Sequence, residues 1–174
     1  MNVMELIRQN REYTVALRRE FHQYPEVSWK EFRTTRRIRE ELDKLNIPYE
    51  VVGETGTVAT LKGSRDYPVI GLRADIDALP IQEVKDLPYK SKNEGVMHAC
   101  GHDAHIAMLL SAAKVLSEHR EELNCTVKFI FQPAEEAMNG ALSILDSGLV
   151  DDLDTVAGIH IFPKLPAGTI SVDP

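Results

Sequence analysis

Nine consecutive residues of this sequence, 97–105, concentrate side chains that could do chemistry. The stretch MHACGHDAH holds three of the six histidines in the chain, one of its two cysteines and an aspartate. Thiolate and imidazole groups bind zinc and other late divalent ions. A cysteine beside a histidine can also be a nucleophile with its base. A third interpretation is a buried thiol in the loop before an ordinary helix, and the stretch alone leaves all three open.

The spacing inside this stretch predicts different positions for its residues, some in a loop and some in the following helix. Gly101 interrupts any helix, and Asp103 is a typical N-cap residue, so residues 98–102 are predicted to form a loop. In a loop Cys100 and His102 can turn towards one centre, which residues two apart on a helix cannot. His105 falls inside the following helix, where packing or support of the site is the expected role.

Adjacent carboxylates appear in QPAEE, directly after a predicted strand. Because neighbouring side chains point in different directions, one of Glu135 and Glu136 can bind a metal while the other stays available as a base. Metal-dependent hydrolysis uses this division, since the metal lowers the pKa of water and a carboxylate takes its proton. Solvated surface charges are the alternative interpretation.

Two further segments place polar residues beside apolar strands. Asp75 and Asp77 follow a strand in RADIDALP, where they can orient a metal site or close a turn through side-chain hydrogen bonds. His160 lies in the apolar run TVAGIHIF, as a ligand or as a satisfied core residue.

The apolar pattern predicts the elements that must position these residues. A Ser28–Glu31 capping box precedes a helix that ends before Pro48. Further helices are predicted at 3–22, 104–118 and 139–148, and strands at 49–52, 57–61, 68–75, 126–132 and 155–162, the last of them buried. The alternation predicts one α/β domain with a mainly parallel sheet flanked by helices. Ligands bind beyond the carboxyl ends of such strands, so the polar segments should meet at one edge.

Composition narrows the function classes. The chain has 174 residues, of which 43% are hydrophobic and 27% charged, which is typical of a globular protein. A net charge of −7 argues against nucleic-acid binding. No apolar run approaches the roughly 20 residues that cross a bilayer, and the charged start does not resemble a signal peptide. With too few cysteines for a disulfide framework, we expect a cytoplasmic protein.

Five motifs in this order resemble the M20 metallopeptidase family, in its amidohydrolase branch of aminoacylases, hippurate hydrolases and related enzymes. They are FHQYPEVSWKE, GLRADIDALPI, MHACGHDAHIAMLL, FIFQPAEE and GIHIFP. The resemblance implies a zinc-exopeptidase-like catalytic domain with two divalent ions, zinc or manganese, with cobalt or nickel as alternatives. It implies hydrolysis of the amide bond of a small N-acyl amino acid. It also allows a homodimer in the full-length protein. The net charge and the lack of a long apolar run, for their part, predict no nucleic-acid partner and no membrane partner.

The resemblance further implies roles for individual residues. Glu135 corresponds to the general base of the family and Asp77 to an aspartate that orients the site. Asp75 stands where other branches place a ligating histidine, and the motif assigns no role to His98, Asp103 or His105. The implied metal ligands are Cys100, His102, Glu136 and His160.

Full-length members of the family are considerably longer, with an inserted lid domain and a further ligating histidine near their C-terminus. The resemblance therefore implies that residues 1–174 are the N-terminal portion of the catalytic domain, ending about where the lid begins. An inactive metal-binding remnant or fragment of such an enzyme is the alternative. A cysteine hydrolase that uses Cys100 and His102 ranks third.

Overall fold

A computed structural model describes residues 2–172 as one five-stranded sheet with helices on both faces. The helices are α1 (Val3–Gln9), α2 (Arg11–Gln23), α3 (Phe32–Lys44), α4 (His102–Glu118) and α5 (Gly140–Asp146). The strands are β1 (Tyr49–Val52), β2 (Gly56–Lys62), β3 (Val69–Asp75), β4 (Thr126–Gln132) and β5 (Thr155–Gly158). A short 3-10 helix, Arg120–Glu122, follows α4.

The strands lie in the order β1-β2-β4-β3-β5. Strand β3 pairs in parallel with β4 and β5, whereas β2 pairs antiparallel with both β1 and β4. The α/β class is confirmed, and the sheet is mixed because the short β1–β2 connection can only form an antiparallel hairpin. The three strands that precede the predicted site residues are parallel, so their carboxyl ends share one edge.

Helices α2, α3 and α4 cover one face of the sheet, and α5 covers the other. Side chains along β4 alternate between the two, with Phe129 and Phe131 in the larger core and Ile130 in the smaller one. Burial on both faces explains why β4 reads as a nearly continuous apolar run in the sequence. The central strands thus form a rigid support for the loops at their ends.

Replacing Phe129 with alanine is expected to lower the free energy of unfolding by about 3–5 kcal/mol, because it leaves a cavity in the larger core. The side chain of Phe129 is fully buried, whereas Phe32 is 48% exposed. Denaturant titration of both alanine variants checks this, with a much smaller loss expected for Phe32→Ala. Equal losses would contradict the placement of Phe129 at the centre of the core.

The capping-box prediction is wrong. Helix α3 begins at Phe32, its N-cap residue is Glu31, and the Glu31 side chain makes no capping bond. The carboxylate of Glu26 accepts the backbone N–H groups of Arg33 and Thr34 instead, at 3.0 and 2.8 Å. The first N–H groups of α3 are therefore hydrogen-bonded by a residue outside the four-residue motif, and local spacing did not predict this contact.

Three other boundaries differ from the prediction. The first helix is interrupted at Asn10, which ends α1 and precedes α2. Helix α4 begins at His102 after Gly101, so the expected N-cap Asp103 lies inside its first turn. Strand β5 ends at Gly158 and is exposed at the sheet edge, so the prediction of a buried strand to residue 162 is wrong.

Among residues 2–172, no helix combines the length and the apolar character needed to cross a membrane.

Candidate metal centre

The predicted site residues meet at one edge of the sheet, at the carboxyl ends of the parallel strands. Asp75 ends β3, and Glu135 and Glu136 follow β4. His160 follows β5, and His102 opens α4. Their convergence is a consequence of the parallel pairing of β3 with both β4 and β5, as the strand pattern predicted.

His102 lies at the centre of this cluster. Its Nδ1 donates to the backbone oxygen of Asp77 at 2.8 Å, which leaves a lone pair on Nε2. This Nε2 atom is buried and has no hydrogen-bond partner in the described part of the chain. Carboxylate oxygens surround it, from Asp75 at 3.6 Å, Glu136 at 3.8 Å and Glu135 at 4.0 Å. A lone pair that faces only acceptors requires a cation or a proton between them.

The carboxylates around His102 affect the pKa of its imidazole. Burial lowers the pKa, but the hydrogen bond with Asp77 and the charges of Asp75 and Asp77 outweigh burial and raise it above its usual value. The site therefore stabilises positive charge at the imidazole.

Cys100 and His160 form the more open side of the cluster. The Cys100 sulfur lies 3.4 Å from Nε2 of His160, while Nδ1 of His160 donates to the Ile161 backbone oxygen at 2.7 Å. Gly101, with φ of 94°, provides the left-handed turn between Cys100 and α4. The two side chains thus present a sulfur and a nitrogen to the same space.

The thiol of Cys100 is not prepared for nucleophilic attack. Burial, and then the nearby carboxylate of Glu136, raise its pKa to about 11. Reactive cysteines have lowered pKa values, because the thiolate is the attacking species. This environment disfavours the cysteine-hydrolase alternative, whereas a bound cation would favour the thiolate.

Three groups of side chains within residues 2–172 could each hold a metal ion, and His102 belongs to all of them. In each group, one ligand atom per residue lies within 4.8 Å of the others. They are Cys100–His102–His160, His102–Glu135–Glu136 and Asp75–His102–His105. The structure therefore brings together all four residues predicted as ligands, and their ligation stays a prediction.

Two members of the third group, Asp75 and His105, are already engaged in internal hydrogen bonds. Nδ1 of His105 contacts Asp75 Oδ1 at 2.6 Å, and its Nε2 accepts the backbone N–H of Ile161 at 2.9 Å. The other oxygen of Asp75 accepts from Arg73 at 2.7 Å. Burial raises the pKa of Asp75, but His105, His102 and Arg73 together lower it to about 2. His105 and Asp75 therefore support the segment that carries His160.

Asp77 holds the loop that carries the two glutamates. Its two oxygens accept the backbone N–H groups of Glu135 at 3.1 Å and Glu136 at 3.0 Å. The hydroxyl of Ser28 donates to the same carboxylate at 2.6 Å. Burial raises the pKa of Asp77, and the bonds from His102, Ser28 and the loop outweigh this effect and lower it. Asp77 thus links both sides of the cluster, and the orienting role predicted for it stays a prediction.

Two observations indicate that these residues are suited to bind divalent ions. Nε2 of His102 and Oε1 of Glu136 are both buried without a hydrogen-bond partner among the described residues, and they lie 3.8 Å apart. His102 and Glu136 would hold a divalent ion through these two atoms, which would take the place of the missing hydrogen-bond partners. The donors of the cluster are sulfur, nitrogen and carboxylate oxygen, all of which bind divalent ions in proteins.

Comparison with known proteins supports this assignment of chemistry. The sequence profile of peptidase family M20/M25/M40 matches residues 71–174, which include every predicted site residue. This chain belongs to that family. The M20 resemblance inferred from the five motifs is therefore confirmed, and so is an enzyme at the level of the family.

Several relatives of this M20 chain have described activities. It is 47% identical over 163 residues to an N-acetylcysteine deacetylase of Bacillus subtilis, covering 91% of the chain and 42% of that protein. It is 44% identical over 161 residues to IAA-amino acid hydrolase ILR1-like 5 of Arabidopsis thaliana, covering 92% and 37%. The chain thus spans less than half the length of these curated relatives.

A solved structure shares the fold of the M20 chain. The YxeP protein of Bacillus subtilis, described as a dinuclear metal-binding peptidase of the M20 family, superposes with a TM-score of 0.91. The match has 45% sequence identity and covers 95% of this chain and 47% of the other. The α/β arrangement with the mixed sheet is therefore the M20 catalytic-domain fold.

Sequence reasoning missed the polar contacts that anchor the start of α4 in this M20 chain. Asp103 Oδ2 contacts Nδ1 of His22 and Nε of Arg18, both at 2.8 Å, and Nε2 of His22 contacts Glu83 at 3.0 Å. Burial lowers the pKa of nearby His98 to about 4, so this imidazole is neutral. The spacing in MHACGHDAH carries no signal for these contacts, because the partners are far away in sequence.

Proposed function

We propose that this chain carries the catalytic site for metal-dependent hydrolysis of the amide bond in N-acyl amino acids. The observation that carries the proposal is the buried pair His102 Nε2 and Glu136 Oε1, two unpartnered acceptors that face each other. The N-acetylcysteine deacetylase and IAA-amino acid hydrolase names of its relatives support an acylated amino acid as the substrate class.

Two divalent ions are proposed, with zinc or manganese favoured and cobalt or nickel as alternatives. The residues that would hold them are Cys100, His102, Glu136 and His160. Such ions supply polarisation of the carbonyl and a lower pKa for water. His102 is preset for this role, because its hydrogen bond to the Asp77 backbone fixes the direction of Nε2.

Glu135 is proposed as the general base. Its side chain is 41% exposed, so it can reach both the cluster and a substrate, and its Oε2 lies 4.0 Å from His102 Nε2. It takes a proton from water as the water oxygen bonds to the carbonyl carbon. The carbon–nitrogen bond then breaks, and Glu135 returns the proton to the leaving amine. The products are a carboxylic acid and a free amino acid.

The remaining sequence predictions stay predictions. They are the division into an N-terminal catalytic portion without its lid, a homodimer of the full-length protein, the absence of nucleic-acid and membrane partners, and the cytoplasmic location.

The test of the proposal is hydrolysis of a panel of N-acyl amino acids by this chain after loading with zinc, manganese, cobalt or nickel. Amine release that requires metal and stops with chelator supports the proposal. The remnant alternative rests on the open side of the cluster, where His160 is exposed. Metal binding without turnover by the chain would favour that alternative over the hydrolase.

Replacing Cys100 with alanine is expected to reduce the zinc content of the purified chain, because it removes the only sulfur ligand proposed. Elemental analysis of dialysed protein checks this. Cys125→Ala is the matched control, since Cys125 is a half-buried thiol immediately before β4 that packs against the core. Unchanged zinc in the Cys100 variant would exclude it as a ligand.

A further inference from the structure

The loop after β4 is held by two buried carboxyl groups from distant parts of the chain. Asp77 accepts the N–H groups of Glu135 and Glu136, and Glu31 Oε1 accepts the N–H of Ala134 at 2.8 Å. Three successive backbone N–H groups therefore end on carboxyl oxygens. Glu31 and Ala134 are 103 positions apart, so this contact exists only in the folded chain.

Among the described residues, the Glu31 side chain makes its close hydrogen bond with the N–H of Ala134. It is fully buried, and its second oxygen has no hydrogen-bond partner in the part of the chain described here. Although Glu31 is the N-cap residue of α3, the carboxylate of Glu26 satisfies the first N–H groups of that helix. Burial raises the pKa of Glu31, and this rise is opposed by the N–H of Ala134 first, and then by the N–H of Glu31 itself, the Thr55 hydroxyl and the N–H of Trp29. A costly buried carboxyl group thus reaches the loop at Ala134.

Ala134 needs such a partner because of its backbone conformation. Its φ is 47°, in the left-handed region that residues other than glycine seldom adopt. This conformation persists only where the surroundings hold it. The turn is also tightly wound, since the Ala134 oxygen accepts from Gly140 N at 3.3 Å. A Cβ added at Gly140 would lie 1.6 Å from the Pro133 oxygen.

We propose that Glu31 is a positioning residue that holds the left-handed turn at Ala134 and so directs Glu135 and Glu136 towards His102. This inference rests on the proposed function, which assigns base and ligand roles to those two glutamates. Without the carboxyl oxygen, the buried N–H of Ala134 has no acceptor. The turn then relaxes, and the next two residues rotate away from the cluster.

Three substitutions separate this role from a role in the helix. Glu31→Gln keeps an oxygen at the same reach, whereas Glu31→Asp keeps the charge but is one methylene too short to reach Ala134. Glu31→Ala removes the acceptor. If Glu31 served only the start of α3, aspartate would be the better replacement, because it is a favoured N-cap residue. If Glu31 instead holds Ala134, glutamine is the better replacement and aspartate the worse one.

The measurements are zinc affinity by calorimetry and, on the metal-free chain, hydrogen exchange of the amides of residues 134–136. We expect Glu31→Gln to stay close to wild type. Glu31→Asp and Glu31→Ala should bind zinc about 10–100-fold more weakly, as for other residues that support metal ligands. Both should also lose exchange protection at Ala134.

The matched control is Glu41→Ala, which removes another buried carboxyl group of α3. Glu41 is bonded by Tyr13, Arg37 and Lys44, away from the metal site. It should lower the unfolding temperature but leave zinc affinity and exchange at residues 134–136 unchanged. A general loss of stability would instead affect both sets of variants alike.

Retained protection at Ala134 in the aspartate variant, or tighter zinc binding by it than by the glutamine variant, would overturn the inference. If the alanine variant does not fold, the comparison of the glutamine and aspartate variants still tests whether Glu31 holds the turn. If the wild-type chain binds no zinc, the proposed function fails, and the exchange experiment still reports whether Glu31 holds the turn.

Discussion

Replacing Glu135 with glutamine is expected to lower kcat for N-acyl amino acid hydrolysis by about 10²–10⁴-fold, the usual contribution of a general base. The amide keeps the shape of the side chain but cannot take a proton from water. Glu135 N remains bonded to Asp77, so the loop should keep its conformation. Metal content should therefore stay at the wild-type level while turnover is lost.

The measurement is steady-state amine release by the metal-loaded chain, together with elemental analysis of the same samples. Glu54→Gln is the control, because Glu54 is an exposed carboxylate in the turn between β1 and β2. Turnover of the Glu135 variant near the wild-type rate would rule out this residue as the base. Loss of metal along with turnover would indicate a ligand instead.

Replacing His102 with alanine is expected to abolish tight metal binding. His102 belongs to all three candidate metal-binding groups of the described chain, so its loss removes a ligand from each of them. The expected loss of affinity exceeds the about 10–100-fold that is typical of substitutions outside the ligand set. Calorimetric titration with zinc and with manganese measures it directly.

His119→Ala is the matched control for this experiment. His119 is the C-cap residue of α4 and contacts Glu122, so it lies at the opposite end of this helix from His102. Circular dichroism of both variants checks that the helix content of the chain is unchanged. Zinc affinity of the His102 variant equal to that of the control would contradict its central place in the site.

Much of the sheet was predictable because its signal is local. Strands β3 and β4 are apolar runs with β-branched and aromatic residues, and each lies between clear breaks in the pattern. The polar segments that follow these strands were expected at one edge, since parallel strands place their ends together. Their convergence around His102 is confirmed by the distances between their side chains.

The errors arose where one local sequence pattern was compatible with two different structures. The sequence SWKE has the spacing of a capping box, yet Ser28 bonds Asp77 and Glu31 bonds Ala134, across 49 and 103 positions. The run at 155–162 is apolar, yet its strand β5 stops at Gly158 and is exposed. Apolar character predicts a tendency to be buried, whereas actual burial depends on which elements pack nearby.

By itself the sequence determined the family, the class of fold and the residue types available to the site, because motif order, strand pattern and side-chain chemistry are properties of the chain. Only the tertiary structure decided which atoms face each other. It directed the Nε2 atom of His102 at carboxylate oxygens and used both ring nitrogens of His105 internally. It also turned Glu31 towards Ala134. These contacts join residues far apart in sequence, and packing rather than local propensity determines them.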